Sequence, residues 1–419
     1  MRFSLTIDKI GSSGDGIGQY DGKLVFVPFA LPEEDVIVEK VKENKNGITA
    51  RLVSIEKESP ERISPVCKHF TQCGGCQAQH MSRNLYTQWM KDKVLKPLSG
   101  HGLDTSTVSA PIITKERTRR RLALRARKTE KGVIVGFNAR ESHTIVDIQE
   151  CIVAEDDLVK LFDPLRDALH RILPKAGKAE IHLTNTKTGV DILFKASVSL
   201  SLADREVLTD FAEKYDIAAI HWLADDFLDP VLISREPLID IDGTNVPIQP
   251  GGFIQASEEG QKLLIDQVRE WASSSRRVAD LFSGIGTFTF ALAKKAQVLA
   301  AEGNAEAMNC LVAARNASSH LKQIITRKRD LFIKPLMPEE LNQFDTVVID
   351  PPRAGAKEQV DRISSSDICR VISVSCNPNT FARDAELLNK SGFKVEKIIP
   401  VDQFLYSQHI EIIALIVKK

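Results

Sequence analysis

Val371-Ile-Ser-Val-Ser-Cys376-Asn-Pro378 places a thiol at the tip of an apolar, strand-like run, and Val347-Val-Ile-Asp350-Pro-Pro352 ends a second such run in a carboxylate. A nucleophile and an acid at the carboxyl ends of two buried strands is how an open α/β sheet builds a reaction site. A further carboxylate, Glu411 in Gln408-His409-Ile-Glu411, stands at the last apolar run.

A third strand end carries glycines. Val278-Ala-Asp280-Leu-Phe282-Ser-Gly284-Ile-Gly286-Thr287 reads as strand, tight turn and helix start. Glycines there let the backbone approach a ligand, and the helix N-terminus favours polar or negative groups. The next strand ends in Glu302, suited to ribose hydroxyls, and the one after leads to Asp330, suited to an adenine amino group. Thr289 falls where a dinucleotide fingerprint has its third glycine. A nucleoside without a pyrophosphate fits better, and S-adenosylmethionine is such a ligand.

Joined to a methyl donor, the thiol acquires a purpose. C5 of a pyrimidine is too weak a nucleophile to attack a sulfonium methyl, but a thiolate adding to C6 makes C5 enolate-like. The C5 proton must then leave before the thiol does, so a general base is required. Cys376 is the candidate nucleophile and Glu411 the candidate base, with Asp350 at the corner that faces the ring. His409 reads as a hydrogen-bonding neighbour. Cys310 and Cys369 read as small buried hydrophobes.

Four of the seven cysteines form a different set. Cys67-x5-Cys73-Gly-Gly-Cys76, with Cys151 far downstream, is a three-plus-one group of thiolates. By ligand type zinc and an iron–sulfur cluster are both open, although the close pairs typical of zinc sites are missing. Four ligands imply a closed site with a structural or RNA-positioning role.

These residues need a scaffold. From about residue 255 apolar runs at 277–282, 297–302, 323–328, 345–350, 371–376, 393–399 and 409–417 alternate with helix-length segments, which predicts a largely parallel, doubly wound sheet. Residues 1–57 read as short strands at 2–9, 23–28, 35–42 and 47–56 with glycine-rich turns, a small barrel of oligonucleotide-binding type. Between them lies mixed α/β sequence, with a helix at 81–98 and paired strands over 117–149. Three domains are expected: 1–57, 58–245 and 246–419.

The 419 residues are 43% hydrophobic and 27% charged, with Lys+Arg and Asp+Glu both 56, so any polyanion site must be a local patch. One such patch is Lys115–Lys131, with nine Lys or Arg against two Glu. Alternation there places Leu122, Leu124 and Ala126 inward and Arg121, Arg125 and Arg127 outward, toward phosphates. No apolar leader is visible and no run reaches the ~18 residues of a membrane span, so no membrane association and a cytoplasmic location are expected.

The chain resembles the RNA uracil-5 methyltransferase family, in the branch with an N-terminal TRAM barrel and a 4Fe-4S cluster (the 23S rRNA uracil-5 methyltransferase type). The resemblance runs nearly end to end. It rests on Asp21-Gly22-x-x-Val25-Phe-Val-Pro28, Cys67/Cys73/Cys76/Cys151, Phe253-x-Gln255, Asp280-Leu-Phe-x-Gly-x-Gly286, Asp350-Pro-Pro-Arg-Ala-Gly355, Ser375-Cys-Asn-Pro378 and Glu411. It implies an α/β fold: an OB-like TRAM barrel, a central iron–sulfur and RNA-binding domain, and a class I, Rossmann-like methyltransferase domain. It implies that Gln255, Phe282, Glu302 and Asp330 contact S-adenosylmethionine, with Gly284 and Thr287 lining it. Asp350 holds the uracil ring or cofactor edge, Cys376 is the nucleophile, Glu411 the base, and the four cysteines hold the 4Fe-4S cluster.

Some positions depart from the family pattern. Ser257 stands where Asn is usual, Ser283 replaces a common cysteine, and Gln403-Phe-Leu-Tyr-Ser407 replaces the usual approach to the base. The expected enzyme is a monomer acting on ribosomal RNA, with transfer RNA as the alternative partner. A cytosine-5 enzyme would carry a Pro-Cys corner in place of Asp350-Pro351, and a non-catalytic iron–sulfur RNA-binding protein would lack Cys376, Glu302 or Asp350.

Overall fold

Five strands, Arg2–Ile10, Gly16–Tyr20, Lys23–Val27, Asp35–Asn44 and Gly47–Lys57, close into a barrel in a computed structural model that describes residues 1–418. Period-2 alternation puts Phe3, Leu5 and Ile7 inside it with Val25, Val27, Val36 and Val38. The strand Gly16–Tyr20 is the one the sequence pattern does not announce, because two of its five residues are glycine.

A seven-stranded sheet forms the middle of the chain. Its order is Phe227–Ile233, Ile217–Ala224, Gly189–Ala196, Lys178–Thr186, Arg121–Thr129, Gly132–Asn138 and Ile145–Asp147. Helices Phe162–Ile172 and Leu202–Tyr215 supply apolar residues to the core beneath one face, where Leu122, Leu124 and Ala126 are buried as their alternation predicts.

The C-terminal sheet has eight strands. In order they are Ile324–Lys328, Gln297–Glu302, Arg277–Leu281, Thr346–Ile349, Arg370–Ser375, Glu411–Lys418, Phe393–Asp402 and Ile112–Ile113. The first five are parallel, and Glu411–Lys418 is inserted antiparallel between Arg370–Ser375 and Phe393–Asp402. The strand order reverses beside Arg277–Leu281, which opens a crevice at the carboxyl ends of the strands. The expected fold class, an OB-like TRAM barrel joined to α/β layers with a Rossmann-like sheet, is the one observed.

Two segments upstream of residue 245 pack into this last layer. Helix Arg83–Gly100 buries Tyr86, Trp89, Met90, Val94 and Leu98 in the same core as Phe381, Leu388 and Ile398, each such side chain contributing about 1.5–3 kcal/mol. Ile112 and Ile113 pair with Val401 and Asp402 as an edge strand. The hairpin Leu238–Ile241/Thr244–Pro247 joins the core on the other side of the sheet through Ile239, Ile241 and Val246. The seven-stranded sheet is thus an insertion between two parts of the eight-stranded layer. Among the described residues no helix is long and apolar enough to cross a membrane.

Candidate active site

The glycine turn follows strand Arg277–Leu281, and its backbone is forced by position. Phe282 has φ 59°, an unusual value for a bulky side chain, and Gly286 has φ 98°. A Cβ at Gly286 would lie 2.5 Å from the Phe290 ring, so only glycine closes the turn. Glu302 is tied to it: Gly284 N donates to Oε2 at 3.0 Å and Asn304 N to Oε1 at 2.6 Å. Each carboxylate oxygen keeps a lone pair for a hydroxyl. Asp330 Oδ1 accepts from Phe332 N at 2.9 Å, and the Phe332 ring stands 5.3 Å from that of Phe282. Ser283 Oγ and Asp280 Oδ1 are buried with no protein partner. A wall with two aromatic rings, two acids and orphaned polar atoms fits a nucleoside such as the adenosyl part of S-adenosylmethionine. Thr287 lies half-buried in the same turn.

Across the crevice the chain brings Asp350, Cys376 and Glu411 together. Asp350 ends the neighbouring strand, its N–H donating to Leu281 O at 3.2 Å. Cys376 follows Ser375, which pairs with Ile412, so Glu411 is set beside the thiol by strand register. Burial pushes the Cys376 thiol up to about 11, with the Glu411 and Asp350 carboxylates adding to the effect and Arg353 opposing it. Burial likewise raises Asp350, with help from the Glu302 charge, and raises Glu411, with help from Asp350. The site therefore holds a protonated thiol beside two acids whose ionised forms are stronger bases than exposed carboxylates. His409 is pushed down to about 4 by burial and Arg353, whose guanidinium reaches its ring nitrogens at 3.0 and 3.2 Å. It is a neutral ring hydrogen-bonded to Arg353.

The loop before Glu411 supplies residues that motif reading passed over. Gln403 is buried, and its Nε2 donates both to Gln255 Oε1 at 2.7 Å and to Glu411 Oε2 at 3.0 Å. Tyr86 O–H donates to Asp402 Oδ2 at 2.5 Å and accepts from Tyr406 N at 2.8 Å. Gln77 N and Ala78 N donate to Tyr406 O, and Gln408 N donates to Gln77 Oε1. Arg120, in the same basic run and in alternation with the inward-facing Leu122, is buried. Its Nε donates to Gln255 O at 3.1 Å and its side chain also reaches Gln261, which anchors the loop carrying Gln255. Arg125 pairs with Glu180, while Arg121 stacks over exposed Phe253 at 5.9 Å. A basic run alone does not say which of its members turn inward.

Cys67, Cys73, Cys76 and Cys151 all line one cavity of about 320 Å³ between the central sheet and the Gln403–His409 loop. Gly74 lets the segment in: its N–H donates to Asn138 O at 3.0 Å, and a Cβ there would meet that oxygen at 2.8 Å. Burial pushes Cys76 up to about 12 and Cys73 to about 11. Among the described residues no three His, Cys, Asp or Glu side chains converge on a point that would hold a metal ion. The void and the thiol set suit a larger group than one ion. Cys310 is half-buried in apolar surroundings, but Cys369, expected to be buried, is exposed where the chain enters strand Arg370–Ser375.

Residues 245–419 match the tRNA (Uracil-5-)-methyltransferase family and residues 2–46 the TRAM domain. A protein of Brucella suis biovar 1 named only as an RNA methyltransferase is 39% identical over 415 residues, 99% of this chain and 97% of its own. The 23S rRNA (uracil(1939)-C(5))-methyltransferase of Shewanella frigidimarina is 33% identical over 437 residues, covering 99% of this chain and 95% of its own. The solved structure of the Pyrococcus abyssi tRNA (uracil-54, C5)-methyltransferase, in complex with S-adenosyl-L-homocysteine, shares the fold with a TM-score of 0.78 over 100% of both chains, at 22% identity. With a thiol and two acids at its strand ends, this chain is a methyltransferase by fold and site. It belongs to the RNA (uracil-5-)-methyltransferase family.

Proposed function

We propose that this protein methylates C5 of a uridine in 23S ribosomal RNA through a covalent bond between Cys376 and C6 of the base. The observation that carries the reading is the placement of Cys376 against Glu411 and Asp350 at the mouth of the glycine-turn crevice. S-adenosylmethionine, held by Gln255, Phe282, Gly284, Thr287, Glu302 and Asp330, supplies an electrophilic methyl group. As the Cys376 sulfur adds to C6, the C5–C6 electron pair moves toward O4 and C5 becomes nucleophilic. Two protons must find acceptors, the thiol's on addition and that of C5 before elimination. Asp350 and Glu411 are two carboxylates made more basic by burial. Glu411 takes the C5 proton, the C6–S bond breaks, and the sulfur recovers a proton. The base must leave its stack to reach this crevice.

Ribosomal RNA is favoured by the Shewanella frigidimarina relative, which matches over nearly the whole chain. All groups the chemistry requires come from one chain, which supports action as a monomer. We also infer a 4Fe-4S cluster on Cys67, Cys73, Cys76 and Cys151, supported by their shared cavity. Binding as thiolates would offset the burial that now holds these groups protonated. Iron and sulfide content with visible charge-transfer absorption tests it. The function is tested by mapping 5-methyluridine in cells lacking the protein: loss from 23S rRNA is expected, and loss from transfer RNA alone would move the substrate. Incubation with 5-fluorouridine RNA and methyl donor should give a stable adduct on Cys376.

A further inference from the structure

A cavity of about 540 Å³ opens beside Cys376, and two domains build it. That volume lies within the roughly 300–1,000 Å³ of ligand pockets. One wall is Cys376, Asn377 and Arg353; the facing wall is the barrel loop Gly11–Ser13 and the helix residues Lys93 and Lys96. The barrel is fixed there. Trp89 Nε1 donates to Gly11 O at 2.9 Å, Lys93 Nζ donates to Ser12 O at 2.5 Å, and Arg140 pairs with Asp15 at 2.8 Å.

The charge of this cavity is not balanced. Asp92 on its lining is matched by Lys96 at 3.7 Å, but among the described residues Lys93 and Arg353 have no ion pair. Burial draws Lys93 down to about 8 against the pull of the Asp402 carboxylate, and its ammonium, 4.8 Å from the centroid of the Trp89 ring, makes no ion pair among the described residues. Its bond to Ser12 O uses one of three N–H donors. A cation in that state stabilises an incoming anion.

We propose that this cavity holds the backbone phosphate next to the target uridine, with Lys93 as its principal contact and the barrel loop at Ser12–Ser13 as its outer wall. The proposal rests on the uridine reading, since it places a flanking phosphate relative to a base on Cys376. It gives the barrel a direct part in shaping the reaction site, beyond tethering RNA at a distance.

The test uses the full-length protein and unmodified 23S rRNA transcript. Lys93→Met and Ser13→Asp are compared with the parent by filter binding across a salt series and by KM and kcat. Removing one phosphate contact lowers the slope of log K against log[salt] by about 0.7–0.9 in magnitude, and KM should rise about tenfold with the effect falling on KM rather than kcat. Ser13→Asp, which removes no docking contact, should weaken binding most at low salt. Thermal melting separates loosened barrel docking, which would lower the melting temperature without changing the salt slope. Parent-like slope and KM in both variants would overturn the subsite. Absence of a 5-fluorouridine adduct in the parent, with RNA still bound, would overturn the uridine reading and leave the slope to judge the phosphate site. A parent that binds no RNA would sink both.

Discussion

Gln403 donates its side-chain nitrogen to Glu411 Oε2 at 3.0 Å, and the same nitrogen reaches Gln255 Oε1 at 2.7 Å. The chemistry of the three groups fixes their orientation. In its ionised form, the one that can act as a base, Glu411 only accepts, so Gln403 turns its NH2 toward it. The second N–H then requires an acceptor, so Gln255 must present its oxygen. Both donors of Gln255 are left for another partner, which suits the carboxylate or hydroxyl oxygens of the methyl donor. One amide thus aligns the proposed base and a proposed cofactor contact.

Gln403→Met keeps the volume and removes both hydrogen bonds. A hydrogen bond to a charged group is worth about 1.5–3 kcal/mol, so kcat should fall roughly 10- to 100-fold, and affinity for S-adenosylhomocysteine should weaken as Gln255 loses its fixed orientation. Steady-state kinetics and calorimetric titration check the two effects. Unchanged kcat and affinity would reduce Gln403 to a space-filling role.

Glu411→Gln separates the two halves of the reaction. The amide still accepts from Gln403, but it takes no proton from C5. Addition and methyl transfer should proceed while elimination stalls, so a methylated RNA–protein adduct should accumulate on ordinary uridine RNA. Denaturing gels and mass spectrometry would show it. Cys376→Ala should give no adduct with any RNA, and retention of methylation by that variant would refute the mechanism.

The thiol's environment makes a pH prediction in the free enzyme. With Cys376 raised to about 11, its alkylation by iodoacetamide should climb about tenfold per pH unit from neutrality upward. Above about pH 8, where the burial-raised Glu411 is ionised, Glu411→Gln removes a negative neighbour and lowers the thiol pKa, so the variant should be alkylated faster there and match the parent near neutrality. Peptide mass spectrometry with exposed Cys369 as the internal comparison reads both. A slower rate in the variant would contradict the assigned electrostatics.

Cys376, Asp350, Glu302 and the glycine turn were legible because each sits at the end of an apolar run, and strand ends are local features. The neighbour relations were not. Nothing in 409–417 says that this strand inserts antiparallel beside 371–376, yet that insertion is what sets Glu411 next to the thiol. Tyr86 and Asp402 are 316 residues apart, and the helix carrying Tyr86 has no clean apolar face to announce that it packs on the catalytic sheet. Gln403 looked like a departure from a family pattern, because the acceptors that give it a purpose lie in two other segments.

Tyr86→Phe tests whether that long-range contact holds the base loop. The hydroxyl donates to Asp402 and accepts from Tyr406 N, so its loss leaves a buried carboxylate oxygen without its donor and an amide without an acceptor. Each orphaned group costs about 1–3 kcal/mol. The cost should depend on pH. Burial already raises Asp402 to about 6, and the Tyr86 hydrogen bond is the largest influence holding it down. A carboxyl whose folded pKa exceeds its unfolded value favours folding in acid, and that contribution is lost as pH rises through the folded pKa. Without the hydroxyl the folded pKa climbs further. The variant should therefore be closest to the parent near pH 5 and fall behind progressively between pH 6 and 8. Urea unfolding at the two ends of that range measures it. A deficit that is constant with pH, or larger in acid, would mean that Asp402 is not the group Tyr86 stabilises.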